Sequence, residues 1–140
     1  MKILLAVDGS DIGMAAVRYV VALSKSLKDA PKLTLLYVDL PLFKQAAAAL
    51  GSEGVARYHA ENGDYALKKA RTALKRARLS FEECIEVGEI AETIVKQAQS
   101  GKADLIVMGS HGRGALKSLF IGSVAQKVVG TSPIPVVIAR

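Results

Sequence analysis

Five short runs of apolar residues punctuate the chain: "KILLAV" (2–7), "KLTLLYV" (32–38), "SFEECIEV" (80–87), "ADLIVMG" (103–109) and "IPVVIA" (134–139). The first, fourth and fifth are nearly continuous, as expected of strands covered on both faces. Between the runs the apolar spacing changes to that of helices. Ile12, Ala15, Ala16, Tyr19, Val20, Leu23 and Leu27 recur at three and four residues, as do Ile90, Ala91, Ile94, Val95 and Ala98, and again Val124, Ala125, Val128 and Val129. Strand and helix alternating through the whole chain predict an α/β fold, a single doubly wound parallel sheet with helices on both faces.

One segment resists this reading. Residues 41–63, "PLFKQAAAALGSEGVARYHAENG", hold an alanine run that favours helix, yet Gly51, Gly54 and Gly63 interrupt it. An irregular or mobile connection is expected there, long enough to serve as a lid over a site. His59, within it, is expected to have no chemical role.

At 140 residues the chain fits one domain, 1–140, with no linker or internal repeat to divide it. No apolar run reaches the length of a membrane span, and the opening apolar run stops at Asp8, too short for a secretory leader. The single cysteine, Cys84, cannot form an internal disulfide and is expected to pack rather than to do redox chemistry. A cytoplasmic protein is the expectation.

The formal charge of +6 raises the question of nucleic acid, but its distribution points elsewhere. Lys68, Lys69, Arg71, Lys75, Arg76 and Arg78 alternate with Ala66, Ala70, Ala73, Leu74 and Ala77, which mark an opposing apolar stripe. That is the pattern of a solvated helix face. Aromatic residues are too few and scattered for a stacking platform, so nucleic acid stays a minor reading and no membrane partner is expected.

The candidate chemistry lies in "MGSHGRGALKSLFIGSVAQKVV", 108–129, where Gly109, Gly112, Gly114 and Gly122 fall between the fourth strand and the last helix. Ligands of open parallel sheets bind beyond the carboxyl ends of the strands, where strand order reverses. Gly122-Ser123 opens a helix whose N-terminal amides suit a phosphate. Ser123 could donate its hydroxyl, and Arg113 and Lys117 could add positive charge. The P-loop pattern is absent, and "GRGALK" has Lys117 where a dinucleotide fingerprint needs its third glycine. From these residues alone, a phosphate-binding loop and a plain connection ending in a Ser123 cap remain open. Asp8 or Ser10 could equally cap the first helix, and Val38 and Met108 would be apolar in any strand of such a sheet.

The spacing Gly109-x2-Gly112-x9-Gly122-Ser123 resembles the G-x2-G-x9-G-[S/T] motif of the ATP-binding universal stress proteins. The similarity runs through "VDGS" after the first strand, "VGEIAETIV" at the third helix, "ADLIVMGSHGRG" and the terminal "SPIPVVIAR". The resemblance implies a five-stranded sheet in the order 3-2-1-4-5. It also implies an adenine-nucleotide site. Ala6, Val7 and Asp8 would line the adenosine pocket, and the Val38 backbone would meet the adenine edge. Met108 and Gly109 would border ribose and phosphates, and Gly112, Gly122, Ser123 and Val124 would wrap the phosphate tail. His111 and Arg113 sit in the same loop; His111 could touch phosphate or move a proton.

The cofactor implied is ATP, or else ADP or AMP, with Mg2+ or Mn2+ carried on the nucleotide rather than held in a metal site of the protein. With no carboxylate pair near the loop, hydrolysis is expected to be weak at most. The expected function is that of a regulatory, stress-linked ATP binder. A nucleotide-free dimeric scaffold, a true ATPase or nucleotidyl transferase, and a nucleic-acid binder acting through the basic helix are the rivals. The last strand is apolar and would lie at a sheet edge, which predicts a homodimer paired through it.

Overall fold

The computed structural model describes residues 1–110 and 121–140. Nine elements follow in order: β1 (Lys2–Ala6), α1 (Met14–Ser26), β2 (Lys32–Asp39), α2 (Lys44–Arg76), β3 (Phe81–Val87), α3 (Ile90–Ser100), β4 (Leu105–Gly109), α4 (Ser123–Thr131) and β5 (Val136–Ala139). All strand pairs are parallel and the sheet order is β3-β2-β1-β4-β5, as expected. The order reverses at β1, which pairs with β2 on one side and β4 on the other, Leu5 lying opposite Leu35 and Val107.

The central strands β1 and β4 are apolar on both faces because each face has its own helices to bury. Ile3, Leu5, Leu33, Leu35 and Val107 pack with Val17 and Val20 of α1 and with Leu67 and Leu74 of α2. The alternate positions Leu4, Ala6, Leu36, Ile106 and Met108 pack with Ile94 and Ala98 of α3 and Ala125 and Val128 of α4. The two-residue period of a strand thus sorts one sequence run into two cores.

Strand ends depart from the apolar runs where turns claim the backbone. The amide of Ala103 donates to the Ala98 carbonyl and closes α3, so β4 starts only at Leu105. Pro135 has no amide to donate, and β5 starts after it.

The segment 41–63 is corrected by the structure. It is helical from Lys44 onward, and the break is confined to Gly51, at φ 69° and ψ 173°. The alanine run has strong helix propensity, and only Gly51 adopts a backbone that a side chain would disfavour. Gly63 stays helical and buried, and a Cβ there would overlap the Ile85 side chain of β3, so its lack of one sets how closely α2 lies on the sheet.

The basic face of α2 is solvated, as its alternation predicts. Lys68, Lys75, Arg76 and Arg78 are exposed, whereas His59, Gly63, Ala66, Leu67, Ala70 and Leu74 form the buried stripe. Arg71 bridges out of this face to Glu83 on β3, Nε to Oε1 at 2.7 Å and Nη2 to Oε2 at 2.8 Å, with Asp64 at 2.9 Å. The two-pronged bond to Glu83 drives the guanidinium still further above its ordinary value. Among the described residues no helix is long and apolar enough to cross a membrane.

Candidate functional site

A cavity of about 660 Å³ opens beyond the carboxyl ends of β1, β2 and β4. The strand order reverses at β1, leaving the helices after β1 and β4 on opposite faces of the sheet and a crevice between them. Ala6, Val7 and Asp8 come from the end of β1, and Val38, Asp39 and Leu40 from the end of β2. Met108, Gly109 and Ser110 come from β4, and Gly122, Ser123 and Val124 from the head of α4. Ile90 and Ile94 of α3 complete an apolar wall.

Nine of the twelve positions singled out from sequence therefore surround one cavity: Ala6, Val7, Asp8, Val38, Met108, Gly109, Gly122, Ser123 and Val124. The other three, His111, Gly112 and Arg113, lie outside the described residues, as does Lys117. Leu40, Ile90 and Ile94 were not anticipated. Their apolar character is what any strand end or core-facing helix would show, so nothing in their identity singles them out.

Asp8 serves the local chain as well as the cavity. Its Oδ1 accepts the Ser10 amide at 3.0 Å and the Ser10 hydroxyl at 2.6 Å, while Ser10 Oγ accepts the Gly13 amide at 3.0 Å. This relay orders the turn that enters α1. α1 itself begins at Gly13 without a side-chain cap, so Asp8 orders the preceding turn and stands in the cavity wall.

At the other edge of the cavity head, α4 begins without a side-chain cap. Gly122 stands at its N-cap with φ −63° and ψ 157°, and its own amide donates to the Ser110 carbonyl at 2.8 Å. The amides of the first turn have no partner within the helix and carry its positive dipole end. Gly122, Ser123 and Val124 of that turn line the cavity.

Asp39, in the cavity wall, accepts four hydrogen bonds. Oδ1 accepts from Tyr37 Oη and the Leu40 amide, both at 3.1 Å. Oδ2 accepts from His59 Nδ1 and Asn62 Nδ2, both at 2.8 Å. Burial pushes this carboxyl up, but the bonds from Asn62, His59 and Tyr37 outweigh it and hold it below the ordinary carboxylate value. His59 is buried and packs edge-on to Tyr58. His59, for which no chemical role is expected, has a structural one: it fastens α2 to the end of β2. The spacing His59–Asn62, one turn apart on a helix, was the available clue.

Among the described residues no group of three His, Cys, Asp or Glu side chains could hold a metal ion. Of the two carboxylates in the cavity wall, Asp39 is spent on four donors and Asp8 is bonded to Ser10.

The sequence model of the universal stress protein family matches residues 1–140. The chain belongs to the universal stress protein family. It is 31% identical over 139 residues to universal stress protein MJ0531 of Methanocaldococcus jannaschii, a match covering 99% of this chain and 81% of the relative. Among solved structures it is similar to MJ0577 of the same organism, with a TM-score of 0.79 and 28% identity over 99% of this chain and 94% of that one. A universal stress protein in complex with cAMP shares the fold with a TM-score of 0.67 and 25% identity, covering 100% of this chain and 96% of that one. The family fold accounts for the five-stranded sheet and for the place of the cavity at its reversal point.

Proposed function

We propose that the cavity binds an adenine nucleotide and that the chain acts as a regulatory, stress-linked ATP-binding protein whose conformation or assembly follows the bound nucleotide. One observation carries this reading. The uncapped head of α4, with Gly122, Ser123 and Val124, opens onto the same apolar cavity as Asp8 and Val38. A ligand with a polyanionic tail and a flat apolar head matches that combination. The phosphates would lie on the α4 amides, with His111, Gly112 and Arg113 alongside, and the base between Val38, Ile90 and Ile94. The cAMP complex of a relative with this fold supports the adenine part of the reading.

Mg2+ or Mn2+ would arrive on the phosphates rather than in a metal site of the protein. Hydrolysis should be slow, because fast phosphoryl transfer needs an oriented nucleophile and a base beyond what Asp8 and the spent Asp39 supply. A cytoplasmic setting accords with the single free cysteine.

The open edge of β5 supports a homodimer. The carbonyls of Pro135 and Ala139 accept from Ile106 and Ser110, so the backbone groups of Val136 and Ile138 point away from β4 and stand ready for a second strand.

Calorimetric titration of nucleotide-stripped protein with Mg–ATP, AMP and cAMP tests the site. The parent should bind at least one of them, and a folded Gly122→Val variant should lose that binding. The backbone at Gly122 is one that valine adopts, so the variant tests space rather than strain. Absence of heat with every adenine nucleotide would end this reading.

A further inference from the structure

Residues 40–58 leave the body of the domain and return to it. No residue in this stretch is buried, whereas Val38 before it and His59 after it are. The two feet of the excursion are fastened together, Asp39 Oδ2 to His59 Nδ1 at 2.8 Å and to Asn62 Nδ2 at 2.8 Å. This fastening stands at the rim of the cavity, whose wall includes Asp39 and Leu40.

The first part of the excursion exposes several apolar side chains. Phe43 is 85% exposed, Leu40 57% and Leu50 49%, and Ala46, Ala48 and Ala49 are exposed beside them. Two breaks bound the apolar part. Pro41 interrupts the backbone on one side, and Gly51 on the other takes φ 69°, with open space where its Cβ would be. The short helix between them contains no buried residue, and its helical ladder breaks at Gly51.

We infer that residues 40–50 are a flap that closes over the base end of the cavity, with Phe43 landing on the face of the base. The inference rests on the nucleotide reading given above and adds a binding residue to it. If phosphates occupy the head of α4, which follows β4, the other end of the ligand lies two strands across the sheet, about 10 Å away at the end of β2. That end is walled by Val38, Leu40, Ile90 and Ile94. Phe43 stands three residues beyond Leu40, a reach of up to about 10 Å. A phenyl ring placed on a purine face buries apolar area on both partners and gains a stacking contact. The Asp39–His59 fastening stays in place during closure, so the flap swings without disturbing the sheet.

The chain contains no tryptophan, so a Phe43→Trp variant carries one reporter. Mg–ATP should quench or blue-shift its indole emission, with a midpoint matching the calorimetric Kd of the same variant. Heat of binding without any change in emission would overturn the flap while leaving the nucleotide site standing. Absence of heat in variant and parent alike would overturn both. An emission shift that follows protein concentration rather than nucleotide would seat the segment on a second copy and overturn the flap. A second variant, Phe43→Ala, should weaken Mg–ATP binding about 10-fold and leave competition by inorganic triphosphate, which lacks the base, unchanged. Equal weakening of both ligands would rule out contact with the base.

Discussion

Gly109 at the end of β4 and Gly13 at the head of α1 lie so close that a Cβ on Gly109 would sit 3.0 Å from the Gly13 Cα. A Cβ on Gly13 would in turn meet Asp8 Oδ1 at 2.8 Å. Two adjacent segments of the cavity floor thus touch backbone to backbone, and Asp8 is held between the turn and the cavity.

The Gly109→Ala variant should therefore lose stability. The obstacle is backbone, which cannot rotate aside as a side chain can, and overpacking of this kind costs about 1–3 kcal/mol. Urea unfolding should show a lower midpoint with an unchanged slope. Because the added methyl pushes β4 and α1 apart, nucleotide affinity should fall as well.

The Asp39 fastening makes a pH prediction with a definite sign. Its folded carboxyl lies below the ordinary value of 3.8, so the charged form is favoured by folding. Its contribution is fully present above about pH 4 and is lost as pH falls through the depressed folded value. His59→Ala removes one of four donors and leaves space behind in a buried position, at a cost of about 1–3 kcal/mol near neutral pH. Asp39→Asn should flatten the acid limb of the stability–pH curve relative to the parent. An unchanged acid limb would assign that limb to other carboxylates.

Pairing through β5 can be tested on the backbone alone. Ile138→Pro removes an amide that points away from β4 while keeping the ladder bonds of Pro135 and Ala139. The parent should sediment as a dimer and this variant as a monomer, with unchanged circular dichroism as the check on folding. A variant that remains dimeric would place the interface elsewhere.

Cys84, half-buried on β3, should react slowly. Burial pushes its thiol up, and the neighbouring Glu86 adds to the effect, so little thiolate forms near neutral pH. Alkylation by a thiol reagent should accelerate several-fold once the chain is unfolded, consistent with a packing residue rather than a redox centre.

Much of this architecture follows from the order of residues. Alternation of apolar runs with helical spacing dictates a parallel sheet, because only helices on both faces can cover strands such as "KILLAV" and "LIVMG". The basic face of α2 is likewise legible, since charge opposite an alanine stripe has one stable orientation in water. The glycines and serine of 109–123 mark the segment beyond β4 by composition alone, and the fold brings Gly109, Gly122 and Ser123 to one cavity.

Other features are decided only in three dimensions. Asp39 and His59 lie 20 positions apart, and no local rule joins them; they meet because α2 must lay its apolar stripe on the sheet, which carries His59 to the end of β2. The helix over 44–50 was obscured because three glycines in a row of short segments read as breaks, whereas the structure needs a break at Gly51 alone. Gly54 and Gly63 differ from Gly51 only in their surroundings. Sequence records where a backbone is free to bend, and tertiary packing determines which of those freedoms is used.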